Sequence, residues 1–189
     1  MKTLLSFAMI SLLISGYIFQ QQDKHPEILE KGAEISGKLV KAIMGKLNAE
    51  IQKSGLAGAV EYCSLEAIPI TDSIAKMEQV AISRVSHKYR NPLNAANERE
   101  IEMIERYISQ HQKGEQLIAQ LVADNGKMIY YSPIVLGSPT CLSCHGETNT
   151  IDINVRKVLN EKYPEDKAVN FKFNEIRGMF KIVFEKEIQ

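Results

Sequence analysis

The segment QLIAQLVADNGKMIYYSPIVL, residues 116–136, decides the fold class of this 189-residue chain. It contains two runs rich in β-branched and aromatic residues, separated by Asp124, Asn125 and Gly126. Asn-Gly between two such runs is the favoured sequence of a two-residue β-hairpin turn. The segment therefore predicts a pair of antiparallel strands.

A long amphipathic helix is predicted upstream of the hairpin, over residues 26–55. Pro26 suits the first turn of a helix, and the pair Ser54–Gly55 suits its end. Apolar residues recur between them at every fourth position, which is the spacing of one helical face. They are Ile35, Leu39, Ile43, Leu47 and Ile51.

The remaining segments supply more helices and another strand. They are two short helices over 57–77 that separate at Pro69, a strand-like alternation from Val80, a helix from Glu98 to about Gln112 capped by Asn94 or Asn97, a short helix over 155–164 and a last strand over 178–186. Helices followed by antiparallel strands indicate an α+β domain.

The first 22 residues, MKTLLSFAMISLLISGYIFQQQ, have the layout of a secretory signal. Lys2 precedes an apolar run over residues 4–19, and glutamines follow. The run is also long enough for a short transmembrane helix, so we expect either cleavage or retention as an inner-membrane anchor. Residues 23–189 are then one domain in the periplasm or another extracytoplasmic space.

The charge balance and the cysteine count narrow the function. The chain has 23 basic and 23 acidic residues, which offers no electrostatic case for nucleic acid as a partner. It has three cysteines, an odd number for an exported protein. Two of them form a motif, and Cys63 is left as a lone thiol that needs burial or a ligand to avoid oxidation.

That motif lies in SPTCLSCHGE, residues 138–147, just after the hairpin. Cys141, Cys144 and His145 form a C-x-x-C-H sequence, the attachment signal of c-type haem. The two thiols add to the two vinyl groups of the porphyrin, and the adjacent histidine is directed at the iron as proximal ligand. The motif occurs once, so we expect one haem c per chain.

Three other uses of these side chains remain open. A redox dithiol would need C-x-x-C at the start of a helix in a βαβ unit, whereas a hairpin precedes it here. A structural disulfide gives His145 no role. A zinc site of Cys63, Cys141, Cys144 and His145 has suitable ligand types, but the neighbours Cys144 and His145 are hard to aim at one tetrahedral ion.

Four blocks of the chain resemble a haem-c-binding, PAS-like domain family that was long catalogued as a domain of unknown function. They are AVEYCSLEAIPITDSIAK, ISRVSHKYRNPLNAANEREIEMIERY, MIYYSPIVLGSPTCLSCHGE and YPEDKAVNFKFNEIRGMFKIVFEK. The family includes stand-alone exported proteins and extracytoplasmic input domains of bacterial sensor kinases and chemoreceptors. The resemblance covers roughly residues 27–187 and implies a PAS-like antiparallel sheet, a long N-terminal helix, flanking helices and one covalent haem.

The resemblance also implies that Cys63 is the second axial ligand of the iron. The chain offers other candidates for this position, and an empty site is a further alternative; the candidates are Met44, Met77, Met103, Met128, Met179, His87 and His111. Arg84, Arg90 and Asn91 are candidate contacts of the haem propionates, because arginine pairs well with carboxylate. The alternative for these three is a solvated surface loop. Tyr130 and Tyr131 alternate on a strand, so only one can face the haem.

The ligand pair separates the candidate functions. A thiolate ligand stabilises ferric iron and lowers the reduction potential, which favours a redox or gas sensor that passes its signal to a partner protein. A periplasmic electron-transfer cytochrome with an unknown redox partner is the alternative. An enzyme such as a peroxidase would need an open iron and a distal acid–base group, for which only His87 or His111 offers itself. We therefore favour a non-enzymatic role.

Overall fold

The computed structural model describes residues 25–185. Its elements are helix α1 (Pro26–Glu78), strand β1 (Ala81–Val85), a 3-10 turn (Pro92–Asn94), helix α2 (Glu98–Gln112), strands β2 (Gln120–Asp124) and β3 (Lys127–Val135), helices α3 (Pro139–His145) and α4 (Ile153–Lys162), and strand β4 (Ile176–Phe184). The predicted signal or anchor over residues 1–22 lies outside the described residues. From residue 25 to residue 185, no helix is long and apolar enough to cross a membrane.

The four strands form one antiparallel sheet in the order β1-β4-β3-β2. Asp124 pairs with Lys127, so the loop of the β2–β3 hairpin has two residues. Asn125 and Gly126 both have positive φ, 50° and 77°, as a type I′ turn requires. The predicted hairpin and the predicted α+β fold, a PAS-like antiparallel sheet with a long N-terminal helix and flanking helices, are confirmed.

Helix α1 is two antiparallel arms joined at Gly55. A straight helix of 53 residues would be about 80 Å long, yet Lys31 Nζ lies 2.8 Å from Glu78 Oε2. The chain folds back at Gly55, where φ is 72° and ψ is −177°. We call residues 26–54 the first arm and residues 56–78 the second arm. The predicted helix end at Gly55 is confirmed, and the return of the second arm along the first is new.

The predicted helix break at Pro69 is wrong, because the second arm continues through it. Proline lacks an N–H, so the carbonyl of Leu65 loses one helical hydrogen bond. Leu65 is 68% exposed, and water can replace that bond. The hydroxyl of Thr71 donates to the carbonyl of Ala67 at 2.7 Å on the next turn.

The two faces of the sheet are covered by different helices. The first arm packs on one face, where Ile28, Ile35 and Leu39 join Leu121, Tyr130 and Ile182 in one apolar cluster. Gly32 permits this close approach, since a Cβ there would collide with the ring of Tyr130. Helix α2 covers the other face, where Met103, Ile104 and Tyr107 pack with Val85, Ile129, Tyr131 and Met179.

A local sequence signal fixes the start of helix α2. The side chain of Asn97 accepts a hydrogen bond from the backbone N–H of Glu100, and Glu100 Oε2 accepts from the N–H of Asn97. This reciprocal capping box starts the helix at Glu98. Of the two predicted caps, Asn97 is therefore the one that acts.

Helix α4 joins the second arm in a third apolar cluster beside the sheet. Val60 packs with Ile151, Val155 and Leu159, and Cys144 lies against the same cluster. A fourth cluster contains Leu136, Ala168 and Phe171, with Cys141 and Leu142 against it. The C-x-x-C-H motif is thus held between the second arm and the segment over residues 166–171.

Candidate functional site

Helix α3 is short, begins two residues after Gly137, and contains the whole C-x-x-C-H motif. Ser138 caps it, with its side chain accepting from the N–H of Thr140, and proline occupies the first helical turn. The three-residue spacing brings Cys141 and Cys144 to the same side of one turn. Both thiols are free, as is that of Cys63.

His145 is held with one ring nitrogen engaged and the other available. Its Nδ1 lies 2.7 Å from the carbonyl oxygen of Ala168, so this nitrogen carries the proton and donates. Nε2 then has the lone pair that a metal requires. Burial lowers the pKa of His145 well below its usual value, and Arg90 and Arg177 lower it further. The imidazole is therefore neutral and competent as a ligand at physiological pH.

Arg90 and Asp166 hold the backbone of Ala168, whose carbonyl is hydrogen-bonded to His145. Arg90 Nε donates to Asp166 Oδ2 at 2.9 Å, and its Nη2 donates to the carbonyls of Cys144 and Ala168. Asp166 Oδ1 also accepts from the N–H of Ala168 at 2.7 Å. Both side chains of the ion pair are largely buried. Arg90 thus joins the end of α3 to the loop that orients His145.

Arg84 is a half-buried cation with a different role. Burial lowers its pKa, and the nearby ionisable groups that act on it are Tyr163 and Cys63. Within residues 25–185 its guanidinium has no hydrogen bond and no ion pair. Arg84 is therefore the arginine of this region whose donors are open to an anion.

Asn91, the third predicted propionate contact, serves as a cap. Its Oδ1 accepts from the N–H of Leu93 at 2.9 Å and starts the 3-10 turn. The propionate contacts predicted for Arg84, Arg90 and Asn91 stay predictions.

The fold brings Cys63 to the motif from far away in the sequence. Cys63 is half-buried on the second arm, and burial raises the pKa of its thiol, while the cations Arg84 and Arg90 lower it. Burial is the largest effect that raises the pKa of Cys144, and the charge of Cys63 raises it further. Cys63, Cys144 and the two arginines therefore share one region, as the haem interpretation requires.

The same side chains do not form the zinc alternative. Across residues 25–185, no three His, Cys, Asp or Glu side chains are gathered closely enough to hold a metal ion. Cys63, Cys141, Cys144 and His145 are therefore not gathered around one tetrahedral ion.

Most of the alternative candidates for the second axial ligand lie in the sheet clusters or on other parts of the surface. Met128 lies in the first sheet cluster, and Met103 and Met179 lie in the second. Met77 is 69% exposed near the end of the second arm, and Met44 is half-buried on the first arm. His111 Nε2 lies 2.6 Å from the carbonyl oxygen of Asn174. Tyr130 and Tyr131 both belong to the sheet clusters.

His87, the remaining candidate for the second axial ligand, contacts the same Phe171 ring as His145. Phe171 makes edge-to-face contacts with both rings, with centroids 6.3 Å apart in each pair. His87 Nδ1 is buried and has no hydrogen-bond partner among the described residues. Burial lowers the pKa of His87, and Lys88 and Arg177 add to this.

A cleft of about 200 Å³ opens to solvent at Ser64, the residue after Cys63. Ser64 lies on one wall, and Asn91, Pro92 and Tyr163 lie on the others. Tyr163 also packs in the third apolar cluster, with Cys144.

Sequence reasoning missed Asp166, Ala168, Phe171 and Tyr163. Asp166 and Ala168 act on His145 through a carbonyl and an ion pair between distant segments, and neither leaves a local pattern. Phe171 and Tyr163 lie in a quoted family-like block, where nothing distinguishes them from core residues. The aromatic and acidic content of that block was the only signal available.

The comparisons with known proteins point to one family. The family profile described as Tll0287-like (Tll0287) matches residues 14–184. The crystal structure of the cyanobacterial heme-protein Tll0287 is similar, with 23% sequence identity, a TM-score of 0.62, and coverage of 87% of this chain and 98% of that chain. A comparison with curated proteins gives no match. At this identity, the structural similarity shows a common fold.

Proposed function

The chain belongs to the Tll0287-like family of haem proteins, and on that premise we propose that it is an exported protein with one covalently bound haem c. The observation that carries the proposal is the hydrogen bond from His145 Nδ1 to Ala168, which leaves Nε2 free at the end of a C-x-x-C-H helix. The free thiols of Cys141 and Cys144 would form the thioether bonds. His145 would be the proximal ligand.

Cys63 is the proposed ligand on the other face of the iron. It shares its surroundings with Cys144, Arg84 and Arg90. When bound, haem c supplies an iron that changes between ferric and ferrous states and exchanges small axial ligands. The two arginines favour the thiolate form of Cys63 by charge, which opposes the effect of burial. A thiolate ligand favours a low reduction potential.

A redox or gas sensor is the function that this arrangement supports best. Cys63 sits on the second arm, eight positions after the corner at Gly55. If the Cys63 thiolate took up a proton when the iron is reduced, it would leave the iron, which would then be open to carbon monoxide, nitric oxide or oxygen, and the second arm would be released. A signalling partner would then read the position of the helical hairpin.

An electron-transfer cytochrome is the second candidate. Cys141 and Cys144 are both half-exposed, which would bring a porphyrin edge near the surface, where a redox partner could approach. An enzymatic role has less support, because the ring of His87 packs against Phe171 and His111 is hydrogen-bonded to the carbonyl of Asn174.

The proposed location is the periplasm or another extracytoplasmic space, since c-type haem is attached there. Residues 1–22 would serve as signal peptide, or residues 4–19 would be retained as an inner-membrane anchor. The partner would be a redox or signalling protein, with small gases as further ligands. The balanced charge of the chain supports no role for nucleic acid.

The test is spectroscopy of the full chain matured with a haem-attachment system. We expect covalent haem in the wild type and its loss in a Cys141→Ala/Cys144→Ala double variant, measured by the haem absorbance of denatured protein and by intact mass. Electron paramagnetic resonance should show a low-spin ferric thiolate signal that disappears in Cys63→Ala. Ser64→Ala, at the adjacent half-buried position, is the control and should keep the signal.

Two results would count against the proposal. A wild-type chain without covalent haem would exclude the c-type assignment. A spectrum that is the same in Cys63→Ala and in the wild type would remove Cys63 from the iron and favour carriage over sensing.

A further inference from the structure

Two cationic side chains, Lys88 and Arg177, contact Phe171, the aromatic residue that packs against His145. Lys88 Nζ lies 4.0 Å from the centroid of the Phe171 ring, and Arg177 Cζ lies 5.4 Å from it. The rings of Phe171 and His145 are nearly perpendicular, with an interplanar angle of 89° and centroids 6.3 Å apart. Phe171 therefore contacts both cations and the imidazole of His145.

These cations are held firmly by neutral partners. Lys88 Nζ donates to the carbonyl of Val169. Arg177 Nη1 donates to Ser86 Oγ at 2.7 Å and to the carbonyl of Lys88 at 2.8 Å. Ser86 Oγ also donates to the carbonyl of Arg177. The three residues are locked together, so both charges have fixed positions relative to His145.

Little negative charge balances them. Within residues 25–185, neither Lys88 nor Arg177 forms an ion pair. Glu175 acts on Lys88 from a distance, and Asp166, the acid that acts on Arg177, is already paired with Arg90. Burial lowers the pKa of Arg177 to about 10. Arg177 is thus a cation at physiological pH. Burial lowers the pKa of Lys88 as well, and the positive charges of Arg177 and Lys88 both act on His145.

We infer that Lys88 and Arg177 set the reduction potential of the site by raising it above the value that His145 and Cys63 alone would give. The inference rests on the proposed haem ligation. Ferrous iron has one positive charge fewer than ferric iron, so a nearby fixed cation favours the reduced state. Because the cations are half-buried, salt screens them poorly.

A structural role alone does not explain this arrangement. Carbonyl oxygens and an aromatic ring could be satisfied by neutral donors, without the cost of partly burying two charges near a third, Arg90. The π face of the Phe171 ring also attracts the two cations and keeps them in the neighbourhood of His145. Lys88 and Arg177 are positioning and tuning residues, because they act on the iron through His145 and Phe171.

The test compares charge-removing and charge-conserving variants in the haem-loaded full chain. Lys88→Met keeps the length of the side chain and removes its charge, whereas Lys88→Arg keeps the charge. We expect Lys88→Met to raise the ferric-to-ferrous ratio about tenfold at a fixed ambient potential, which is about 59 mV for a one-electron couple. Lys88→Arg should stay near the wild type. The readout is the midpoint potential in a spectroelectrochemical titration.

Two further variants separate charge from structure. Arg177→Gln should lower the potential in the same direction, and Arg177→Lys should restore most of it. Lys172→Met, at an exposed neighbour of Phe171, should leave the potential unchanged. An unchanged potential in Lys88→Met, or an equal shift in Lys88→Met and Lys88→Arg, would overturn the inference while the haem spectrum still supported the proposed function. A wild-type chain that binds no covalent haem would overturn both.

Discussion

At the scale of single residues, the site depends on one histidine and on the backbone carbonyl that orients it. The C-x-x-C-H motif predicts His145 as an iron ligand from sequence alone, because the chemistry of haem attachment would impose a local spacing. The partner of its Nδ1, Ala168, could not be predicted. Ala168 is reached through the ion pair of Arg90 and Asp166, which joins segments far apart in sequence.

Asp166→Asn tests that ion pair. The substitution keeps the size of the side chain and leaves Arg90 partly buried without a counter-charge. We expect the free energy of unfolding to fall by about 2 kcal/mol, measured by urea denaturation of the apo chain. Glu161→Gln, which removes an exposed ion pair with Lys162, is the control and should have no measurable effect. Equal stability of Asp166→Asn and the wild type would show that the pair does not hold the loop.

At the scale of elements, the sequence predicted turns and helix caps correctly, but it did not predict how the elements pack against one another. The turn at Asn125–Gly126 and the cap at Asn97 follow from preferences of a few consecutive residues, and both were predicted. Pro69 was misjudged because the cost of proline in a helix depends on whether water reaches Leu65. The return of the second arm along the first depends on Gly55 and on contacts such as Lys31–Glu78, which the apolar periodicity does not contain.

Gly55→Ala should destabilise the protein. Alanine has no comfortable conformation at φ 72° and ψ −177°, so we expect a loss of about 1–3 kcal/mol, although no atom would collide with the new Cβ. Gly45→Ala is the matched control: this residue is helical and its Cβ also points into open space. It should stabilise the first arm by about 0.5–1 kcal/mol. Thermal unfolding measures both, and a neutral Gly55→Ala would contradict the corner described here.

The contact between the arms should respond to pH through Glu78. Hydrogen bonds with Lys31 and Lys38 lower the pKa of Glu78 below its ordinary value of 4.5. A lowered folded-state pKa adds stability that is present above the unfolded-state pKa and disappears as pH falls through the folded-state pKa. Denaturant unfolding between pH 7 and pH 3 should therefore show a loss of stability in acid that is smaller in Glu78→Gln. Parallel curves for the two proteins would exclude this coupling.

At the scale of the whole molecule, the proposed iron site joins two bodies, the helical hairpin of α1 and the segment from α3 to residue 171. The sequence showed Cys63 only as a lone thiol, and the family resemblance gave it a role. Its proximity to Cys144 and Arg84 results from the packing of Val60 against α4. No periodicity in the sequence encodes that contact between elements.

Haem loading should therefore stiffen the second arm. We expect slower amide hydrogen exchange around Cys63 in the ferric holo chain than in the apo chain, measured by mass spectrometry of peptides. The slowing should be lost in Cys63→Ala and on reduction with carbon monoxide present, while exchange in β3 and β4 stays the same. An arm that exchanges equally in all these states would argue for an electron carrier, because carriage requires no movement of the arm.

The short helix α3 also has a consequence for the order of events during maturation. It has only seven residues, too few to be stable by itself, so Cys141, Cys144 and His145 would be accessible to a haem-attachment enzyme before the chain folds. Cys63, on the second arm, would join them when that arm packs against α4. In a chain that carries haem c, the haem absorbance would change when the thiolate of Cys63 joins His145 as a ligand. That change would report when the second arm reaches its folded position.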